Sequence, residues 1–188
     1  MTKAMILGIT GTDGAGKGTV VEYLARKKGF VHYAARQLWV DEIKKRGLEV
    51  NRTNTRIVAN DLRRQHGNDF LVTAYIARMK EDGVENAIIE SIRATSEAET
   101  LKANSGILLA VDADQHFRYK RIVGRGSETD HIDFETFAAQ EVLEMNDPDP
   151  NGMQKEAVMK MADYTILNNG TLEELHAEIE KTLFKIEC

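Results

Sequence analysis

The sequence predicts an α/β domain in three layers, in which a parallel sheet of about five strands is flanked by helices. Short apolar runs alternate with helical patterns along the chain, and a glycine-rich loop follows the first apolar run. The 188 residues, 42% of them hydrophobic, suit one domain. Because no linker-like tract or long repeat divides them, we expect a single domain over residues 1–188.

The predicted strands are the short apolar runs. In chain order they are AMILGI, FVHY (Phe30 to Tyr33), NAIIES, GILLAVD and YTILN. Each has the length and composition that are typical of a strand, and a helical pattern separates each one from the next. That alternation indicates parallel pairing.

The predicted helices fill the intervals between these runs. Residues 16–28 carry apolar side chains at helical spacing, and three polar-rich patterns around 36–46, 54–66 and 69–81 lie between the second and third strands. Further helices are predicted at 96–104, at 114–123 and from Phe134 to Met145. A last helix begins near Thr171, which with Glu174 has the spacing of a capping box.

Composition argues against several classes of function. The net charge of -5 does not suit a nucleic-acid binder, and the single cysteine, Cys188, allows no internal disulfide framework. Because the sequence shows neither a leader-like start nor about 18 consecutive apolar residues, we expect a cytoplasmic protein without a membrane partner. The histidines lack zinc-site spacing, and Val158 stands where the calcium loop suggested by DPDPNG would need a glutamate.

The stretch GTDGAGKGT fits the phosphate-binding pattern G-x-x-x-x-G-K between a strand and a helix. Glycines let successive backbone N–H groups point into one concavity, and Lys17 adds a full positive charge. Gly18 holds the usual hydroxyl position, so Thr19 is the expected Mg²⁺ ligand. The alternative is a glycine-rich turn with a solvated lysine. The predicted ATP-binding residues here are Gly11, Asp13, Gly14, Ala15, Gly16, Lys17, Gly18 and Thr19.

This loop resembles that of P-loop nucleoside monophosphate kinases, adenylate kinase above all, through the variant GAGKGT. The preceding TDG is similar to the acid-containing loop of thymidylate kinases, which implies that Asp13 helps to place the phosphoryl acceptor; an Asx turn is the alternative. The resemblance implies a P-loop NTPase fold with a helical acceptor-binding insertion at about 34–83 and a short lid at about 121–133.

A second similarity to adenylate-kinase-like enzymes lies in FRYKRIVGR, where Arg121 and Arg125 match the R-x-x-x-R pattern that leads into the lid. The resemblance implies that both arginines grip the transferring phosphate, and Arg118 is a weaker candidate of the same kind. A solvated basic helix face is the alternative.

The stretch IIESIR resembles the apolar strand that ends in Asp-Gly-x-x-Arg in these kinases. Glu90 takes the acid position and Arg93 the arginine position, whereas Ser91 replaces the glycine. The resemblance implies that Glu90 serves Mg²⁺ and that Arg93 contacts phosphate. Asp112, at the end of GILLAVD, is the competing metal ligand and fits a Walker B pattern.

The tail ADYTILNNGTLEEL resembles the last strand, loop and helix of dephospho-CoA kinases and nucleotide kinases. It implies that Asn169 and Gly170 pass beside the ATP adenine, while a capped helix entry is the alternative. On the acceptor side we predict phosphate contacts from Arg36 and Arg63. Trp39 could stack on a base, but its spacing with Val40 and Ile43 favours a core position.

We therefore expect an enzyme that uses ATP and Mg²⁺ to phosphorylate a small nucleotide-type acceptor, a (deoxy)nucleoside monophosphate. Dephospho-CoA is the alternative acceptor, because the same donor site would serve both. A regulatory P-loop ATPase or nucleotide switch is the alternative from another class; the lack of an N-K-x-D guanine-reading motif speaks against it.

Overall fold

Five parallel strands form the centre of the protein. The computed structural model describes residues 5–125, 133–146 and 153–188, apart from the side chains of Arg52, Thr53, Arg56, Arg125 and Leu143. The strands are β1 (Met5–Gly11), β2 (Val31–Ala34), β3 (Asn86–Glu90), β4 (Ile107–Asp112) and β5 (Tyr164–Leu167). They pair in the order β2-β3-β1-β4-β5, and every pair is parallel. The predicted five-stranded α/β fold is confirmed.

Helices connect the strands. Within the described residues they are α1 (Lys17–Lys28), α2 (Ala35–Lys45), α3 (Arg52–His66), α4 (Phe70–Asp82), α5 (Thr95–Ala103), α6 (Gln115–Arg125), α7 (Phe134–Met145), α8 (Lys155–Lys160) and α9 (Leu172–Glu187). Eight of them were predicted within a few residues, whereas α8 was not. The capping box at Thr171 is present, because Thr171 and Glu174 exchange side-chain-to-backbone hydrogen bonds.

The helices cover both faces of the sheet, because neighbouring residues of a strand point to opposite sides. Ile88 and Leu109 pack with α1 and α9 on one face. Ile89 and Leu108 pack on the other face with α2 to α5 and with Val158 of α8. Two apolar cores therefore enclose the sheet, which gives the three predicted layers.

The strand order puts the candidate site at the carboxyl edge of the sheet. The chain passes from β1 over β3 to β2, and later from β3 over β1 to β4. The connections that leave the adjacent strands β1 and β3 thus run in opposite directions, which opens a crevice beside their carboxyl ends. The loop Gly11 to Lys17 lies at this point.

Several predictions concern segments that lie partly or wholly outside the described residues. They are the lid, of which 126–132 are not described, the Arg125 side chain, and the DPDPNG stretch at 147–152. Helices α2, α3 and α4 occupy the position of the acceptor-binding insertion, whose role stays a prediction. Among the described residues, no helix combines the length and apolarity needed to cross a membrane.

Candidate active site

A cavity of about 640 Å³ opens at the carboxyl ends of β1 and β3. It brings together residues from distant parts of the chain, among them Lys17, Glu90, Arg93, Arg121 and Lys155. Asp13, Gly14, Gly16, Gly18 and Thr19 also line it. Most residues that the sequence predicted for ATP, metal or phosphate therefore face one common space.

The loop between β1 and α1 curls around the inner end of this cavity. Gly14 and Gly16 have φ values of 79° and 98°, which favour glycine. The backbone N–H groups of Gly14, Gly16, Lys17 and Gly18 have no hydrogen-bond acceptor among the described residues. Such a run of unpaired donors at a helix N-terminus is a concavity suited to an anion.

Lys17 reaches back over this loop. Its Nζ donates to the carbonyl oxygens of Gly11 and Thr12, at 3.0 and 2.7 Å, and lies 3.5 Å from Oδ1 of Asp13. Burial lowers the pKa of Lys17, and the nearby Lys155 and Arg93 lower it further, while Asp13 opposes the change. The ammonium is thus held at the mouth of the loop by carbonyl oxygens, and a bound phosphate would compete with those oxygens for its hydrogen bonds.

Asp13 belongs to a partly buried ion cluster that the sequence did not predict: the Asp13 side chain is 41% exposed, whereas that of Lys155 is 4% exposed. Its Oδ2 accepts a 2.9 Å hydrogen bond from Nζ of Lys155, which also pairs with Glu144 of α7. Burial alone would raise the pKa of Asp13, but Lys155 and Lys17 hold it well below its usual range. Burial and the neighbouring Asp13 raise the pKa of Glu144.

Glu90 ends β3 inside the cavity, whereas Asp112 does not line it. His32 contacts Oε2 of Glu90 at 2.9 Å, and this hydrogen bond keeps the pKa of Glu90 below its ordinary value. Asp112 instead accepts a 2.6 Å hydrogen bond from Oγ1 of Thr12. Ser91 follows with a φ of 71°, so the residue that replaces the family glycine adopts a left-handed conformation.

Arg93 lies half-buried at the opposite wall. Its Nη1 is 3.3 Å from the Met153 sulfur, and its backbone N–H donates to the buried carboxylate of Glu97 at 2.7 Å. Glu97 is the third residue of α5 and also accepts from the N–H of Ala94. The start of α5 therefore fixes the backbone that carries Arg93.

Arg121 projects from α6 toward the loop. Its Nη2 donates to the backbone oxygen of Asn168 at 2.9 Å, and Asn168 donates from Nδ2 to the backbone oxygen of Ala15 at 2.8 Å. Nη1 of Arg121 is buried and has no hydrogen-bond partner among the described residues. A buried donor without an acceptor is costly, which makes this atom a candidate ligand contact.

Arg118, the weaker phosphate candidate, serves the protein scaffold instead. Its side chain donates to the backbone oxygens of Ala113 and Asp13, at 2.8 and 3.3 Å, and pairs with Glu141 through two nitrogens. It is 5% exposed. The guanidinium is thus occupied and fastens α6 to the glycine-rich loop.

Six predicted residues in the described part of the chain do not line the cavity. Gly11 and Ala15 are buried within the glycine-rich loop, and the other four lie elsewhere. Arg36 is exposed on α2, and Arg63 lies 3.9 Å from Glu97 with its guanidinium over the ring of Trp39. Asn169 accepts from the backbone N–H of Asp114, and Gly170 follows it. Their proposed ligand contacts stay predictions. Trp39 is buried in the core, as its spacing favoured.

Sequence reasoning missed Lys155 and Glu144 as residues of the site region. Glu144 takes an ordinary polar position of the predicted helix Phe134 to Met145, and Lys155 lies in a segment without a periodic signal, so no local feature distinguishes either from a solvated charge. Asn168 stands in the predicted adenine loop, but only the fold shows that it touches Ala15 and Arg121.

A family model described as an AAA domain matches residues 7–165. The chain belongs to this AAA domain family. The match spans the glycine-rich loop, every residue that lines the cavity and the first two residues of β5, so the cavity lies within the family's own domain.

Relatives and solved structures extend this AAA domain assignment. A UPF0200 protein from Hyperthermus butylicus is 26% identical over 183 residues, which are 97% of this chain and 95% of that protein. Shikimate kinase from Bacteroides thetaiotaomicron superposes with a TM-score of 0.61 at 13% identity, over 98% of this chain and 99% of the other. Dephospho-CoA kinase from Campylobacter jejuni superposes with a TM-score of 0.57 at 16% identity, over 97% of this chain and 96% of the other. The predicted resemblance to P-loop kinases is confirmed for the fold.

Proposed function

We propose that this protein is an ATP- and Mg²⁺-dependent phosphotransferase that moves the γ-phosphoryl group of ATP to a small nucleotide-type acceptor. One observation carries the proposal. Arg121, whose buried Nη1 has no hydrogen-bond partner among the described residues, lines the same cavity as Lys17 and the glycine-rich loop, whose N–H groups likewise have no acceptor there. Donors from two sides of one space suit a polyphosphate better than any neutral ligand.

The cavity also suits a phosphate-bound Mg²⁺. Among the described residues, no group of three or more acidic, histidine or cysteine side chains could hold a metal alone. A metal in this cavity would therefore take most of its ligands from phosphate and water, as Mg²⁺ does in kinases. Thr19 and Glu90 would hold it, since both line the cavity, and the ion would neutralise charge on the phosphates.

The chain's own part in the reaction is positioning and charge stabilisation. The loop N–H groups and Lys17 would bind the donor phosphates, while Arg93 and Arg121 would approach the transferring group from other walls. A phosphate oxygen of the acceptor attacks the γ-phosphorus, the bond from that phosphorus to the β–γ bridging oxygen breaks, and ADP leaves. Phosphoryl transfer needs little covalent help from the protein, so such a set of cations is sufficient.

We infer a (deoxy)nucleoside monophosphate as the acceptor, because the loop GAGKGT with its preceding Asp13 is most similar to nucleotide kinases. Asp13, predicted to place the acceptor, and Arg93, predicted to contact phosphate, both line the cavity. Dephospho-CoA is the second candidate, supported by the similar tail and by the fold shared with a dephospho-CoA kinase. No nucleic acid or membrane partner is proposed.

A coupled assay for ADP release tests the proposal. Purified protein is given ATP and Mg²⁺ with CMP, dCMP, UMP, AMP, GMP, dTMP or dephospho-CoA in turn. We expect one acceptor, or one class of them, to raise ADP release far above the rate with ATP alone. Equal rates with every acceptor and without any would instead support the regulatory ATPase.

A further inference from the structure

Lys155 is a buried cation in the phosphate cavity to which the proposed reaction assigns no role. The residue is 4% exposed, although it begins the short helix α8. A buried ammonium is costly unless it is paired, so its partners indicate why it is there.

The partners of Lys155 form a chain of alternating charges that leads to the glycine-rich loop. Glu144 pairs with Lys155, Nζ of Lys155 donates to Oδ2 of Asp13 at 2.9 Å, and Oδ1 of Asp13 lies 3.5 Å from Nζ of Lys17. Asp13 therefore stands between two ammonium groups, and the one on α8 is the nearer.

We propose that Lys155 is a positioning residue that neutralises Asp13 and so keeps the ammonium of Lys17 available to the donor phosphates. This inference rests on the proposed function, because it assigns a role in binding the same ATP. It adds a residue from α8, remote in sequence, to the phosphate site.

Electrostatics explains why Asp13 needs such a partner. An aspartate in an anion-binding loop repels the phosphates that the loop must hold, and it also competes with them for Lys17. With Lys155 in place, the nearer cation compensates the carboxylate. Without it, Lys17 would be the closest counter-ion of Asp13, and Asp13 and Glu144 would face each other as uncompensated acids.

The geometry favours this indirect role over a direct phosphate contact. Lys155 is almost fully buried, and two carboxylates already take hydrogen bonds from its Nζ. Lys17 is bound mostly by neutral carbonyl oxygens, which release an ammonium to a phosphate more readily than carboxylates do.

The test is a double-mutant cycle read by calorimetric binding of the non-hydrolysable ATP analogue AMP-PNP with Mg²⁺. The variants are Lys155→Met, Asp13→Asn and the double variant, with Lys155→Arg as the conservative change. Lys160→Met is the matched control, because it removes one exposed ammonium from the same helix, and within the described part of the chain Lys160 forms its ion pair with Glu156 alone. Thermal melting of each variant confirms that it is folded.

We expect Lys155→Met to weaken binding roughly ten- to hundredfold, the range of a charge-assisted contact. Asp13→Asn in the same chain should restore the affinity to about that of Asp13→Asn alone, because no acid then needs compensation. Lys155→Arg and Lys160→Met should bind about as the wild type does.

Two results would overturn the inference while leaving the proposed function intact: unchanged affinity in Lys155→Met, or a double variant as weak as Lys155→Met. A double variant of that kind would make Lys155 a direct ligand contact. If the wild type itself failed to bind AMP-PNP, the proposed function would fall, and this inference with it.

Discussion

Asn168 donates a 2.8 Å hydrogen bond from Nδ2 to the backbone oxygen of Ala15, so the loop after β5 is fastened directly to the glycine-rich loop. The backbone oxygen of Asn168 accepts from Arg121 at 2.9 Å. The Asn168 loop, α6 and the glycine-rich loop thus meet at one residue. A disturbance at any of them should therefore reach the phosphate cavity.

Removal of the Lys17 ammonium should abolish most ATP-dependent turnover. We expect Lys17→Ala to lower the rate of ADP release in the presence of an acceptor by about a hundredfold or more, because a charge-assisted contact to phosphate is lost. Lys27→Ala, an exposed lysine near the end of the same helix, is the control and should keep the wild-type rate. Turnover that survives in Lys17→Ala would place the donor phosphates elsewhere.

Arg121→Ala should lower the rate of phosphoryl transfer much more than it weakens ATP binding. Loss of an arginine that faces the transferring group is expected to lower kcat by about 10³-fold, while ATP affinity changes only a few-fold. We expect the same of Arg125→Ala from the sequence pattern. Lys120→Ala, the exposed neighbour on α6, is the control. Steady-state kinetics together with calorimetry measure the two effects, and normal kcat in both arginine variants would refute the role of the pair.

Gly16→Ala should destabilise the fold, whereas Gly18→Ala should not. A Cβ on Gly16 would stand 2.4 Å from Nδ2 of Asn168, at a φ of 98° that side chains rarely adopt. We expect a loss of about 1–3 kcal/mol in the free energy of unfolding, measured in urea. A Cβ on Gly18 meets nothing within 4 Å, and alanine suits a helix, so that variant should gain up to about 1 kcal/mol. Equal stabilities would contradict the close approach of the Asn168 side chain to Gly16.

Glu97 should make stability depend on pH. Burial raises the pKa of this carboxyl, although hydrogen bonds from the N–H groups of Arg93 and Ala94 oppose the change. Above the ordinary pKa of 4.5, the unfolded state releases the Glu97 proton that the folded state still holds. The contribution of this proton to the free energy of unfolding is therefore complete below pH 4.5 and is lost as the pH rises toward the raised pKa of the folded state. As the pH increases over this range, the free energy of unfolding of Glu97→Gln should increase relative to that of the wild type. Urea titrations at several pH values measure this difference. The exposed Glu99→Gln on the same helix should show no such trend.

The apolar runs were sufficient to predict the sheet, because strands of this kind are short, apolar and separated by clear helical patterns. Helix α8 was missed, since the six residues Lys155–Lys160 are too short for a periodic signal. Contacts between side chains that are distant in sequence could not be predicted, for a different reason. Nothing in the residues around Lys155 indicates that the fold brings its ammonium to Asp13, and nothing around Arg63 indicates that its guanidinium lies 3.9 Å from Glu97.

The position of β1 in the middle of the sheet determines when the phosphate site can assemble. Met5 pairs with Asn86 of β3, and Leu7 pairs with Ile107 of β4. The strands that pair with β1 are therefore synthesised much later than β1 itself. Almost half of the chain must leave the ribosome before β3 can pair with β1, and more than half must leave it before β4 can do so. Until then an apolar strand stays unpaired, and contacts of such long sequence separation also slow refolding in vitro.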